Sequence, residues 1–390
     1  MKRFLTIIIL SLFSTCILQA QTDANPSSQQ SFASILNIFK SKKKSVSTTT
    51  LRDGSVYTGE LRRKRPHGKG EVQYLNGDKY TGTFLDGNRH GSGVYEYKNG
   101  DRYEGGYREG KKQGSGVFYY ADGRKYDGSW IDDQMQGYGR MDYPNGDYYV
   151  GAWVMGERAG SGTYMFVSGA MYTGEWNDDK YNGVGTFIWD DNSKYIGQWK
   201  NNRRNGKGVY ISLAGDTYDG MWAYNVCEGK GRCVYSDGSV YEGDFKDNMW
   251  HGTGLYVAAD STVYEGGFKE GKRSGTGVMR FLNGDIYDGV WKNDVRCGKG
   301  TYTWANGDVY EGYWEDDIMN GAGVLRLNDG RKYTGGFLDG LEHGAGVATD
   351  VDGLRYEGVF DEGQRNGKFI IKDADGSVLR ECDYNLGIKE

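Results

Sequence analysis

Three prolines, four histidines and five cysteines in 390 residues leave little material for several common architectures. So few prolines, with 53 of the 64 glycines falling on a fixed register, exclude a collagen-like or low-complexity disordered chain. After Cys16 come Cys227, Cys233, Cys297 and Cys382, and only Cys227 and Cys233 are neighbours, so the spacing is no disulfide framework. That pair could bridge in an oxidising compartment. The longest apolar run, Phe4 to Phe13, is shorter than the ~20 residues needed to span a bilayer. Residues 1–50 hold six basic residues and one acidic, whereas the other 340 hold 42 basic and 52 acidic, a balance of −10. An acidic body of this kind argues against nucleic acid as a partner.

The apolar run follows Lys2 and Arg3 and ends before Ala20-Gln21, the pattern of a secretory signal over residues 1–20. The mature chain would begin at Gln21 and be exported, to the periplasm or to the extracellular or cell-surface side. Cys16 offers an alternative lipidation site, although Thr15 is a poor residue for the position before it.

What the chain has in abundance is periodicity. A tyrosine recurs every 23 residues from Tyr57 to Tyr356, fourteen times, with no insertion or deletion. With each tyrosine as position 0 of units 1 to 14, glycine stands at +2 and +11 in all fourteen, at +13 in thirteen and at +20 in twelve. Position +4 is aromatic in every unit except the first, which has Leu61, and +13 is glycine except at Phe369. Within a unit the pattern is period two, then a turn rich in Asn, Asp, Gly, Lys and Arg, then period two again, which reads as a β-hairpin. A hairpin closing near +8 and +9 would pair Tyr126 with Tyr143, Gly128 with Met141 and Trp130 with Gly139. Turns such as Asn76-Gly77-Asp78 and Asn306-Gly307-Asp308 then lead to the next hairpin. The expected fold is all-β: an elongated, twisted, single-layer antiparallel sheet of about fourteen 23-residue hairpins. At ~9.6 Å per unit the ribbon would reach at most ~130 Å.

The tandem pattern Tyr-x-Gly-x-aromatic followed by Gly-x-Gly, as in Tyr172-Thr173-Gly174-Glu175-Trp176 with Gly183-Val184-Gly185, resembles the membrane occupation and recognition nexus (MORN) repeat family. The resemblance covers residues 54 to about 376. It implies an array of hairpins with an aromatic-lined groove, used for protein contacts, for dimerisation or for placement at membranes. Some family members join such repeats to a lipid kinase domain. This chain has no Gly-rich loop opening a helix and no catalytic-loop His-Arg-Asp.

The domain reading is a signal at 1–20, a linker at 21–50, the repeat array at 51–376 and a C-terminal cap at 377–390. In the linker, Phe32, Ile35, Leu36 and Phe39 share one helical face and lead into Lys42, Lys43 and Lys44, a segment suited to an anionic membrane surface or to a cap and tether. His67, His90, His251 and His343 all occupy +10, where other units have Asn, which assigns them to turns rather than to a metal. The recurrent acidic residues at +1 form a solvated row rather than one catalytic pair.

Trp130, Trp153, Trp176, Trp199 and Trp222 fill +4 in five successive units and are the expected partner-binding surface, with Trp250, at an expected hairpin tip, as a further contact. The functional expectation is a non-enzymatic exported scaffold, without cofactor, that engages a protein through an aromatic groove or edge. A carbohydrate- or cell-wall-binding module, peripheral membrane association through residues 32–44, and a homodimer through exposed sheet edges are the alternatives.

Overall fold

The computed structural model describes residues 45–389. Among them there are 31 strands in one antiparallel sheet and no helix. Two turns per unit build it. The first lies at +6 and +7, where both residues take the left-handed conformation: Asp132 and Asp133 have φ of 49° and 70°, and Asn201 and Asn202 have 50° and 64°. Asp, Asn and Gly tolerate this geometry, which matches the twist of the flanking strands. The second turn is closed by the bonds Tyr143 N–H to Asp147 O and Gly146 N–H to Tyr143 O, both 3.0 Å, with Gly146 at φ 93°.

These turns correct the expected register. In unit 4, Lys125–Ile131 pairs with Gln134–Asp142 so that Tyr126 faces Met141, Gly128 faces Gly139 and Trp130 faces Met135. The hairpin closes earlier than +8 and +9, and a bulge between Gly128 and Trp130 absorbs the remaining offset. The following strand repeats the relation: Tyr149 faces Met141, Gly151 faces Gly139 and Trp153 faces Gly137. Glycines at +2 and +13 therefore face each other in one row from Gly59 to Gly358, each glycine within it flanked by another on both sides, as Gly139 is by Gly128 and Gly151.

The row exists because the position-0 ring lies on it. A Cβ placed on Gly139 would sit 2.4 Å from Tyr126 Oη and 2.6 Å from its ring carbons. The ring covers the backbone that the glycines expose, and its hydroxyl donates to the carbonyl at +3, as Tyr126 does to Ser129 O at 3.1 Å. The aromatic at +4 then wedges between two such tyrosines. Trp130 meets Tyr126 at 5.3 Å and Tyr103 at 5.2 Å, both edge to face, and the zigzag continues along the array.

The two ends vary the theme. The polar strand Ser47–Thr50 pairs ahead of unit 1. In unit 14, Phe369 replaces the +13 glycine, lies over Gly358 and is fully buried, so Tyr356 is displaced outward beneath Arg365, whose guanidinium carbon is 3.6 Å from the ring centre. The strand Val378–Asn385 extends the sheet beyond it.

Candidate partner-binding face

Directly opposed residues share a face, so the observed register decides what the ring side presents. The +4 tryptophans are its floor. Trp130, Trp153, Trp176, Trp199 and Trp222 are only 3 to 6% exposed, and each indole N–H donates to the +13 carbonyl of the preceding unit, as Trp176 does to Gly162 O at 3.1 Å. Their faces are covered by neighbouring rings and side chains, so they hold the hairpins together, and the solvent-facing layer lies above them.

That layer comes from +9, +15 and +17. Because +9 pairs with +4, it lies on the ring side and not at the tip. Trp250 is at +9: it is half-buried, stacks on Tyr241 at 4.5 Å and 8°, and donates to Tyr235 Oη. Tyr181 stacks on Tyr172 in the same way at 3.8 Å. In four other units +9 carries an arginine laid over the next unit's tryptophan: Arg158 over Trp176 at 4.5 Å, Arg204 over Trp222 at 4.1 Å, Arg273 over Trp291 at 4.3 Å and Arg296 over Trp314 at 4.5 Å. Three of these arginines are tied to an aspartate at +7 of the next unit, as Arg158 Nε is to Asp179 Oδ1 at 2.8 Å. A turn at +8 and +9 would carry this column at the hairpin tips; the observed turn, two residues earlier, lays it on the rings.

Beside the arginines runs a ladder of half-buried rings. Tyr143, Tyr164, Phe166, Phe187, Trp189 and Tyr210 succeed one another with centroids 4.6 to 5.9 Å apart across units 4 to 7, until Ser212 interrupts the +17 column. A buried aspartate at +21 pins one tyrosine of the ladder. Asp147 accepts from Tyr164 Oη at 2.9 Å and from Val167 N–H at 2.8 Å, a clamp between consecutive hairpins that Asp78 and Asp285 repeat. Burial alone would raise the Asp147 carboxyl, but the hydrogen bonds from Val167, Asn145 and Tyr164 hold it below the usual carboxylate range. Burial and that same bond push the Tyr164 phenol upward.

A pH dependence follows. These aspartates bind fewer protons when folded than unfolded, so their stabilisation is complete above the unfolded value near 3.9 and is lost as pH falls through the depressed folded values. The melting temperature should hold from neutral pH to about 5 and drop below about 4. In Asp147→Asn the drop should be shallower; an unchanged profile would count against the clamp.

The remaining candidates are structural. At +10, His67 Nδ1 faces Asp86 N–H of the next turn at 3.5 Å, and Gln136 Oε1 accepts from Met155 N–H at 3.0 Å, so this position braces turns. The +1 acids of units 4 and 8 to 12 are exposed, whereas Glu104 is buried and paired with Arg102. Cys227 and Cys233 lie on one strand, Val226–Val234, as free thiols, and burial pushes the Cys227 thiol up to about 12. Phe32, Ile35, Leu36, Phe39, Lys42, Lys43 and Lys44, like the signal at 1–20, lie outside the described residues.

Comparison with solved structures finds low similarity. The TCP10c domain of Drosophila melanogaster Sas-4 is 17% identical, with a TM-score of 0.24, 44% of this chain and 96% of that chain being covered. The TCP10 domain of Danio rerio CPAP, solved with a peptide of Danio rerio STIL, is 12% identical at a TM-score of 0.14, covering 87% and 100% of the two chains. A streptogramin B lyase, also 12% identical, scores 0.12 over 74% and 89%. Scores this low carry no inference about the present chain. No curated protein matches it in sequence. The MORN repeat model, by contrast, matches fourteen times between residues 57 and 378, in the register set by the tyrosines. With most of its length accounted for by these matches, the chain belongs to the MORN repeat family.

Proposed function

We propose that this protein is a non-enzymatic, exported scaffold that holds a protein partner on the ring side of units 4 to 7. The observation that supports this is the ladder from Tyr143 to Tyr210, six half-buried rings in unbroken succession on one face of the sheet, bordered by Arg158, Tyr181 and Arg204. Aromatic and arginine side chains ordered before binding lose little freedom when a partner arrives. Flat exposed indoles for stacking on sugar are not what the +4 column offers, because those rings are buried.

The test is capture from cell-envelope extract by three proteins: wild type, a ladder variant Trp189→Ala/Tyr210→Ala, and a control Val184→Ser/Ile196→Ser on the opposite, exposed face. Wild type and control should retain one protein that the ladder variant loses by about tenfold or more, given that truncating an anchor ring costs on the order of 1–2 kcal/mol. Equal retention by all three would overturn the assignment. Export is the sequence-based part of the proposal. Protein purified from the envelope should begin at Gln21, and an intact Met1 would refute cleavage there.

A further inference from the structure

On the reading that the ladder is the binding surface, we propose that its ligand is an extended acidic segment lying along the array. It would carry carboxylates at positions i and i+6 over Arg158 and Arg204 and an apolar side chain at i+3 over Tyr181. Two observations carry this. The first is spacing. Neighbouring strands lie ~4.8 Å apart, so equivalent positions in successive units are ~9.6 Å apart, and Arg158, Tyr181 and Arg204 occupy +9 in three successive units. An extended chain in the polyproline II conformation advances ~3.1 Å per residue with three residues per turn, so every third side chain faces the same way and three residues cover ~9.3 Å. A chain crossing the strands meets one +9 side chain at every third residue, with almost no drift over the ~19 Å from Arg158 to Arg204.

The second observation is a missing anion. Where Arg158, Arg273 and Arg296 face Asp179, Asp294 and Asp317, Arg204 faces Asn225. Arg204 Nη2 donates to Asn225 O at 3.1 Å, and among the described residues no carboxylate lies within ion-pair distance of it. The other groups around it are Tyr195, Tyr210, Trp222 and Cys227, all neutral. A half-buried cation normally has a counter-charge, and the ligand's carboxylate supplies it here. Arg158, already shared with Asp179, makes the weaker of the two polar contacts. Tyr164, Phe166, Phe187 and Trp189 form the apolar floor between them.

The test is fluorescence anisotropy of the purified protein with labelled synthetic peptides of the type Ser-Glu-Ser-Thr-Leu-Ser-Thr-Glu-Ser. One isomer moves the second Glu by a single residue, and a neutral peptide has Gln for both Glu. The six-residue spacing should bind about tenfold tighter than the isomer, and Arg204→Gln should abolish the difference. Asn225→Asp supplies the carboxylate internally, as Asp179 does for Arg158, and should weaken the peptide similarly while leaving the melt intact. Equal binding of the isomers, or no effect of either substitution, overturns the proposal. Binding of none of the peptides, alongside capture that still depends on Trp189 and Tyr210, would refute the acidic register and leave the ladder as the partner surface.

Discussion

Gly151→Ala is expected to open the array at its fifth unit while leaving distant units folded. A Cβ on Gly151 would lie 2.4 Å from Tyr149 Oη and 2.5 Å from Gly162 Cα, so the ring blocks it from above and the opposing strand blocks it from the side. Gly151 does not have a positive φ, so the penalty is spatial rather than conformational. Overpacking of this kind costs about 1–3 kcal/mol, and displacing the ring also breaks the Tyr149 hydroxyl bond to Ala152 O, worth about 1 kcal/mol more. Because each unit contacts only its neighbours, the loss stays local. Amide hydrogen exchange should show protection reduced by about a hundredfold or more in units 4 to 6, for a loss of roughly 3 kcal/mol, with units 1, 2 and 10 to 14 unchanged. Gly169→Ala is the comparison: φ is 95° there and a Cβ would meet nothing within 4 Å, so only the backbone penalty of about 1 kcal/mol applies. If the two substitutions proved equally harmful, the ring-over-glycine account would be wrong.

Trp176→Ala should cost about 3–5 kcal/mol, far more than a substitution at a contact surface. Trp176 is 4% exposed, meets Tyr149 and Tyr172 edge to face at 5.1 and 5.2 Å, and satisfies Gly162 O. Its removal leaves a cavity between two tyrosines, frees a carbonyl and takes away the surface on which Arg158 rests. Trp189→Ala, on the half-buried ladder, should cost less than about 2 kcal/mol. Urea unfolding of the two variants against wild type checks the contrast, and equal midpoints would contradict it. Alanine scanning of the +4 column would therefore report on folding, and a binding scan belongs at +9, +15 and +17.

The architecture was legible because fourteen copies of one pattern leave a single solution: period-two segments, turn residues at fixed offsets, and rings that can only stack on their neighbours. The register was not, and the reason is local. Doublets such as Asp132-Asp133, Asn201-Asn202 and Asp316-Asp317 are the left-handed turn signal, but the polar residues continue to +9 and hide where the strand resumes. The left-handed glycine at +11, which shapes the bulge, looks in sequence like any other member of the alternating row. A turn at +8 and +9 places Trp250 at a hairpin tip, whereas the observed turn lays +9, Arg204 included, on the rings. Asn225, which leaves Arg204 without a carboxylate, was visible as a residue type and acquired meaning only from its neighbour across the units.

Strand pairing that follows chain order also settles how the molecule bears load. Its strands run across the ribbon, so the hydrogen bonds between them point along it. Tension applied at the two termini acts in line with those bonds and breaks them a pair at a time, as in peeling tape, instead of shearing many at once. Each 23-residue hairpin that lets go releases roughly 65–70 Å of slack while its neighbours stay folded, so an array of this construction yields in steps and its far end can move without disturbing the units in the middle.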